Sequence, residues 1–305
     1  MTAGAVVITG ASSGIGRATA HAFAAEGARL VLVARSEGSL REVVAECEER
    51  GGETIAVTAD VADAEQVDAA VAAAIERFGR IDVWVGGASV FAFGGVLDLP
   101  ESHFRRILEV NVLGQVRGVR AVLPGMLAAG SGTIVLIASV FSKVSAPYVS
   151  AYITSKHALA GFADSLRQEL RGTGIRVVTV FPSTIDTPIY QHAANFTGRR
   201  TRPLFPVADA RRVAGAIVRR AHRPRTSSTI GVVQGSMIPV RALAGGVYDA
   251  IITVMMRKVS LRDEPAAHSS GNLFEPQPEL NAVRGGWQRS GRHESDPKAG
   301  PLRRQ

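Results

Sequence analysis

Short apolar runs rich in β-branched residues alternate along the chain with longer stretches whose apolar positions recur at helical spacing. Runs of the first kind read as buried strands over residues 6–9, 29–34, 54–58, 81–85, 133–138, 175–181 and 229–233. The second kind predicts helices. One follows residue 16 with Ala18, Ala20, Ala22, Phe23 and Ala24, and another spans 63–78 with Val67, Val71 and Ile75 along one stripe. A long helical region covers 101–126, a further helix opens near residue 152 (Ala158, Leu159, Phe162, Leu166, Leu170), and an amphipathic one covers 207–222. Strict alternation of the two kinds argues for an α/β fold, a doubly wound parallel sheet of about seven strands with helices on both faces. Residues 187–206 read as a loop or short helices over one end of the sheet. Residues 236–258 are apolar but interrupted by Arg241, Gly245, Gly246, Asp249 and Arg257, as in a core or subunit-interface helix rather than a membrane-surface one. From 262 onward proline, glycine, serine and charges replace periodic apolar positions, so a single domain over 1–261 is expected, followed by a disordered tail over 262–305.

Composition narrows the class. A chain of 305 residues, 46% hydrophobic and 20% charged, is long enough to bury a full core and belongs with soluble globular proteins. The single cysteine, Cys47, excludes an internal disulfide framework and fits a reducing compartment. There is no basic start followed by an apolar stretch and a small-residue cleavage site, and no apolar run approaches the ~20 residues of a membrane span. A cytoplasmic location is expected. The net charge of +8 is concentrated: nine arginines lie between 199 and 225 against one acid, Asp209. No reader motif or aromatic interleaving accompanies them, so they read as a solvated face beside a substrate loop rather than a nucleic-acid surface. The seven histidines show no ligand spacing, and no metal is implied.

Candidate chemistry sits at three strand ends. Gly10-Ala-Ser-Ser-Gly14-Ile-Gly16 joins the first strand to the first helix, where glycines let a backbone approach a pyrophosphate and the helix N-terminus offers free N–H groups. Arg35 closes the second strand with no acid before Glu37, a pattern that favours the 2′-phosphate of NADP over the bare ribose of NAD. Ser139 closes the fifth strand, and Tyr152 and Lys156, four apart on a helix, share a face. A lysine beside a tyrosine favours phenolate and lowers its pKa, and a serine hydroxyl nearby can hold the oxygen that exchanges the proton. Asn111 interrupts an apolar helix stretch and calls for a backbone kink or a bound water.

Over residues 4–258 these motifs, in this order, resemble the compact branch of the short-chain dehydrogenase/reductase family, a Rossmann-type fold. Thr9-Gly10-Ala-Ser-Ser-Gly14-Ile-Gly16 resembles its glycine turn, and Asp60 with Val61 its adenine-pocket pair. Asn111, Ser139, Tyr152 and Lys156 match its four catalytic positions, and the stretch from Pro182 through Ile185 to Thr187 its nicotinamide-binding segment. The resemblance implies cofactor contacts at Gly10, Ser12, Ser13, Gly14, Ile15, Gly16, Arg35, Asp60, Val61, Ala88, Tyr152, Lys156, Pro182, Ile185 and Thr187. It implies Tyr152 as general acid/base, Ser139 polarising the substrate oxygen, Lys156 on the nicotinamide ribose and Asn111 placing a relay water. Two departures stand out. Gly86-Gly87-Ala88-Ser89 replaces the usual Asn-Asn-Ala-Gly, so hydrogen bonds of both asparagines must be replaced or lost, and Ser183 replaces a glycine.

The expectation is an oxidoreductase passing a hydride between NADP(H), or less readily NAD, and a ketone or secondary alcohol. Apolar residues in 90–97, 140–149 and 187–206 suggest a small hydrophobic substrate, and family likeness a homodimer or homotetramer. The competing expectation is a non-catalytic dinucleotide-binding regulator or interaction protein that uses the basic segment 199–225.

Overall fold

A computed structural model describes residues 5–223, 225–231 and 235–288. The seven expected strands form one parallel sheet: β1 (Ala5–Thr9), β2 (Arg29–Ala34), β3 (Glu53–Thr58), β4 (Val83–Gly86), β5 (Gly132–Ile137), β6 (Ile175–Pro182) and β7 (Ser227–Ile230). Their spatial order is β7-β6-β5-β4-β1-β2-β3. Successive strands run outward from β1 in one direction and from β4 in the other, so the order reverses between them, and a crevice opens beyond their C-terminal ends. The last part of the expected seventh strand, residues 232 and 233, lies outside the described residues.

Helices α1 (Gly14–Ala24), α2 (Glu37–Glu48), α3 (Ala64–Phe78), α4 (Glu101–Leu108), α5 (Gly114–Ala128), α6 (Ser150–Glu169) and α7 (Ala210–His222) cover the two faces. The sheet is buried on both sides, which is why its strands read as continuous apolar runs. Local signals fix several helix starts: Asp63 caps α3 through Gln66 N–H, and Asp209 caps α7 through Arg211 N–H. The long region expected over 101–126 is not one helix. A π-helical turn at Glu109–Leu113 separates α4 from α5, and Asn111 sits in it, the kink that its polar side chain called for.

The apolar 236–258 stretch forms α8 (Met237–Leu243) and α9 (Gly245–Met255). Tyr248, Ile252 and Met256 turn inward onto a cluster with Phe91, Val140, Val144 and Tyr152, while Val247, Ile251 and Val254 are exposed. No helix among the described residues is long and apolar enough to cross a membrane.

The disorder expected from 262 onward is not what the described part of the tail shows. Leu261–Pro265 pairs antiparallel with Arg199–Thr201, and Asn195 and Ser269 exchange backbone hydrogen bonds. Leu273 is fully buried, and residues 269–287 then run as a strap across the C-terminal end of the sheet. Few apolar side chains hold it. Its anchors are carbonyl and amide groups bonded to the domain, which no hydrophobic periodicity could announce. Residues 289–305 lie outside the described residues. The same contacts revise the basic segment: Arg199 pairs with Asp263, Arg200 with Glu264, and Arg202 Nε donates to Val259 O at 2.7 Å. Part of that charge is therefore an intramolecular clasp for the C-terminal segment.

Candidate active site

The crevice at the carboxyl end of the sheet is a cavity of about 200 Å³. It is lined by nearly every residue the sequence singles out: Gly10, Ser12 to Gly16, Arg35, Asp60, Val61, Ala88, Ser139, Tyr152, Lys156, Pro182, Ile185 and Thr187. Asn111 alone of that set does not line it.

The glycine turn is dictated by close approach. Gly14 has a φ of +53°, a region L side chains rarely adopt, and a Cβ on Gly16 would overlap the Gly10 carbonyl oxygen. The turn delivers the Gly14 and Ser13 donors at the N-terminus of α1, a favourable place for anionic oxygens. Arg35 leaves the end of β2 toward the same cavity. Asp60 accepts from Ala62 N–H at 2.9 Å and pairs with Arg106. Burial pushes the Asp60 carboxyl up, but the Ala62 N–H and the Arg106 and Arg35 guanidinium groups outweigh it, and its pKa ends below the usual carboxylate value.

Ser139, Tyr152 and Lys156 come together at the end of β5. Ser139 caps a short 3-10 turn, accepting from Phe141 N–H at 3.1 Å, and its hydroxyl is hydrogen-bonded to the Tyr152 phenol. Lys156 Nζ donates to Ile137 O at 3.0 Å and lies 5.4 Å from the centre of the Tyr152 ring. All three side chains are buried. The expected lowering of the tyrosine pKa is reversed in this closed site. Burial pushes the phenol up to about 12, with the Ser139 hydroxyl pulling the other way, and burial brings Lys156 down to about 7. Desolvation disfavours each charged form, so a neutral phenol is the resting state here.

Asn111 has a different place. Its Oδ1 accepts from Val90 N–H at 2.8 Å, and its Nδ2 donates to Val90 O at 2.9 Å and Ser155 Oγ at 3.0 Å. Both amide hydrogens are occupied, and the side chain braces the loop after β4 against α6, the helix that carries Tyr152 and Lys156.

The missing asparagines of Gly86-Gly87-Ala88-Ser89 have substitutes. Thr9 Oγ1 accepts from Gly87 N–H at 3.0 Å and Ala88 N–H at 3.2 Å, and Gln115 Nε2 donates to Ala88 O at 2.8 Å. Among the described residues, Ser89 Oγ, Ser183 Oγ and His192 Nε2 are buried without a hydrogen-bond partner, and all three residues line the cavity. Buried polar atoms are normally paired, so these three fit a polar ligand such as a dinucleotide. Sequence reasoning missed Tyr190 and His192, which lie in the loop marked only as substrate-facing, and Asn272 and Asn281, which arrive from the tail.

Aromatic contacts link the far end of the tail to the tyrosine. Trp287 meets Tyr190 edge-on at 6.1 Å, Tyr190 meets Phe91 at 5.9 Å, and Phe91 meets Tyr152 at 4.4 Å.

Comparison with known proteins agrees with this geometry. The family profile described as short chain dehydrogenase matches residues 4–197. An uncharacterized oxidoreductase of Bacillus subtilis, YxnA, is 33% identical over 87% of this chain and 74% of its own. A short chain dehydrogenase/reductase from Burkholderia phymatum, solved in complex with NAD, superposes with a TM-score of 0.72 at 28% identity, covering 81% of this chain and 95% of its own. An alcohol dehydrogenase from the archaeon Thermococcus sibiricus, complexed with 5-hydroxy-NADP, superposes with a TM-score of 0.65 at 30% identity, covering 76% and 97%.

Proposed function

The chain belongs to the short-chain dehydrogenase/reductase family, NAD(P)-dependent oxidoreductases of CH–OH and C=O groups, and on that premise we propose that it interconverts a ketone and a secondary alcohol with NADP(H). One observation carries this reading: Ser139, Tyr152 and Lys156 converge in the same cavity as the Gly10–Gly16 turn and Arg35. The dinucleotide, when bound, supplies the hydride donor or acceptor.

Every other part falls to the protein. Tyr152 Oη gives the proton to, or takes it from, the substrate oxygen, and Ser139 Oγ holds that oxygen beside it. The neutral phenol of the closed site suits carbonyl reduction, which needs a proton donor. Lys156 fixes the geometry through Ile137 O and offers its remaining N–H groups to the cavity. Gly14 N–H and Ser13 Oγ suit a pyrophosphate, and Thr187, Ile185 and Pro182 line the nicotinamide end. Asn111 holds the loop and helix in register. Phe91, Val140, Val144 and Ile189 beside Tyr152 suit an apolar substrate.

Arg35 supports NADP over NAD. It is the charged group at the end of β2, and three carbonyls engage at most three of its five N–H groups, leaving donors for a 2′-phosphate. Asp60, the nearby acid, is tied to Arg106. The test is a panel of hydrophobic ketones and alcohols followed by NADPH and NADH absorbance. Turnover with at least one ketone, faster with NADPH, is expected; no turnover across the panel with either cofactor would remove the proposal.

The clasp of Arg199, Arg200 and Arg202 onto 259–264 commits three of the nine arginines on which the regulator alternative would draw.

A further inference from the structure

The strap over the crevice touches the cofactor donors themselves. Gly14 N–H and Ser13 Oγ both donate to the carbonyl of Ala282, at 2.8 and 3.1 Å. The Arg35 guanidinium donates to the carbonyls of Asn272, Leu273 and Phe274, at 2.6, 3.2 and 3.0 Å. Asn281 Nδ2 donates to Ser39 Oγ at 2.9 Å. Trp287 donates its backbone N–H to Asp186 at 2.8 Å and its indole N–H to Thr187 O at 3.2 Å. These contacts follow a direction. Residues 272–274 sit at the Arg35 corner, 281–282 at the glycine turn, and 287 at the nicotinamide-side segment. That is the order of ribose, pyrophosphate and nicotinamide along a bound dinucleotide, with peptide carbonyls taking the place of phosphate oxygens.

We propose that residues 275–287 are a tethered competitor of the dinucleotide, an autoinhibitory flap that must lift before the cofactor can bind. This rests on the dinucleotide reading of the site. The two ends of the flap differ in a way that makes it a hinge and not a fixed wall. At its root, Leu273 is fully buried and Asn272 N–H donates to His192 O at 2.9 Å, so 269–273 stay with the domain and keep their Arg35 contacts, and the flap itself competes at the glycine turn and the nicotinamide-side segment. Beyond the root, Phe274 to Pro276 and Pro278 to Leu280 are exposed, and the segment is held by a handful of polar contacts. A stretch with little buried apolar surface belongs to the part of a protein that opens at low free energy. The cavity left beneath it, about 200 Å³, is smaller than the roughly 300–1,000 Å³ of sites that enclose ligands of ordinary size. A closed fraction of the protein lowers apparent affinity by that fraction, so loosening the flap raises affinity.

The test uses the full chain. Hydrogen exchange is measured on the unmodified protein with and without saturating NADP⁺, and dissociation constants for NADP⁺ are measured by calorimetry for the unmodified protein and for Asn281→Ala/Trp287→Ala. The expected results are faster exchange over 275–287 when NADP⁺ is bound, and roughly three- to tenfold tighter binding by the double variant. Exchange over 275–287 that is unchanged or slowed overturns the proposal, as does equal or weaker binding by a folded double variant. The exchange experiment needs no substitution, so a variant that fails to fold does not shield the idea. NADP⁺ binding with an undisturbed flap would overturn the flap and leave the oxidoreductase standing. Absence of dinucleotide binding in both proteins would overturn the two together.

Discussion

Gln115 occupies the space that a side chain on residue 86 would need: a Cβ built on Gly86 would overlap Gln115 Oε1. The glycine at the end of β4 and the glutamine of α5 are therefore one unit, in which the longer side chain reaches back across the sheet end and donates to Ala88 O. Gly87 is constrained separately, because a Cβ there would stand 2.7 Å from Thr9 O. We expect Gly86→Asn alone to destabilise the protein by about 1–3 kcal/mol, the usual cost of overpacking a filled site. Gly86→Asn with Gln115→Ala should recover most of that loss. Urea denaturation of the four members of the cycle measures the coupling. Additive effects would show that the two residues do not share the space.

Tyr152→Phe removes the phenolic hydroxyl proposed as proton donor and keeps the ring that packs on Phe91 and Phe141. Turnover should fall roughly 10²–10⁴-fold, the usual worth of a positioned acid or base. Dinucleotide affinity, measured by calorimetry, should change little. Undiminished turnover would show that the substrate proton goes elsewhere.

The sheet was legible because parallel strands buried on both faces must be continuous apolar runs, as 29–34 and 133–138 are. The juxtaposition of Tyr152 and Lys156 was legible because four-residue spacing on a helix is a geometric statement. Asn111 could be seen to demand a kink, yet its partners could not be seen, since Val90 and Ser155 are brought to it by tertiary packing. The tyrosine's electrostatics were read backwards for a similar reason. A nearby ammonium can be inferred from spacing, but the depth of burial that outweighs it depends on Phe91, Tyr248 and the other residues closing over it. The strap was illegible because arginine donors from the domain hold its backbone carbonyls, and a carbonyl is the same in every residue.

Arg35→Asp separates two roles that the wild-type residue combines. Loss of the guanidinium frees the carbonyls of residues 272–274, an effect shared by both cofactors. It also removes the donors for a 2′-phosphate and adds a like charge, an effect confined to NADP. The ratio of NADP⁺ to NAD⁺ dissociation constants cancels the first and keeps the second. That ratio should rise about 10- to 100-fold, the equivalent of the ~1.5–3 kcal/mol of a hydrogen bond to a charged group. An unchanged ratio, whatever happens to the separate constants, would end the assignment of Arg35 as the 2′-phosphate contact.

Lys156 gives the pH dependence of stability a definite sign. Its pKa is 10.5 when unperturbed and about 7 in the folded chain, because burial disfavours the ammonium. Between those values the unfolded chain binds the proton that the folded chain has released. Stability from this group therefore rises with pH from about 7, and the penalty is fully present below that, where both states are protonated. The gain between pH 7 and pH 9 should be about 2 kcal/mol. Above that window the buried Cys47 thiol and the Tyr152 phenol, each raised to about 12, act in the opposite direction, since the unfolded chain loses those protons first. Lys156→Met keeps the volume and removes the titration. Denaturation of the two proteins at a series of pH values should show the unmodified chain gaining on the variant from pH 7 to 9, with the difference levelling below pH 7. A difference that stays flat across the window would mean that the lysine remains charged in the folded protein. A charged Lys156 would then lower the Tyr152 pKa toward working pH, as the four-residue spacing implies, and make the phenol a stronger proton donor.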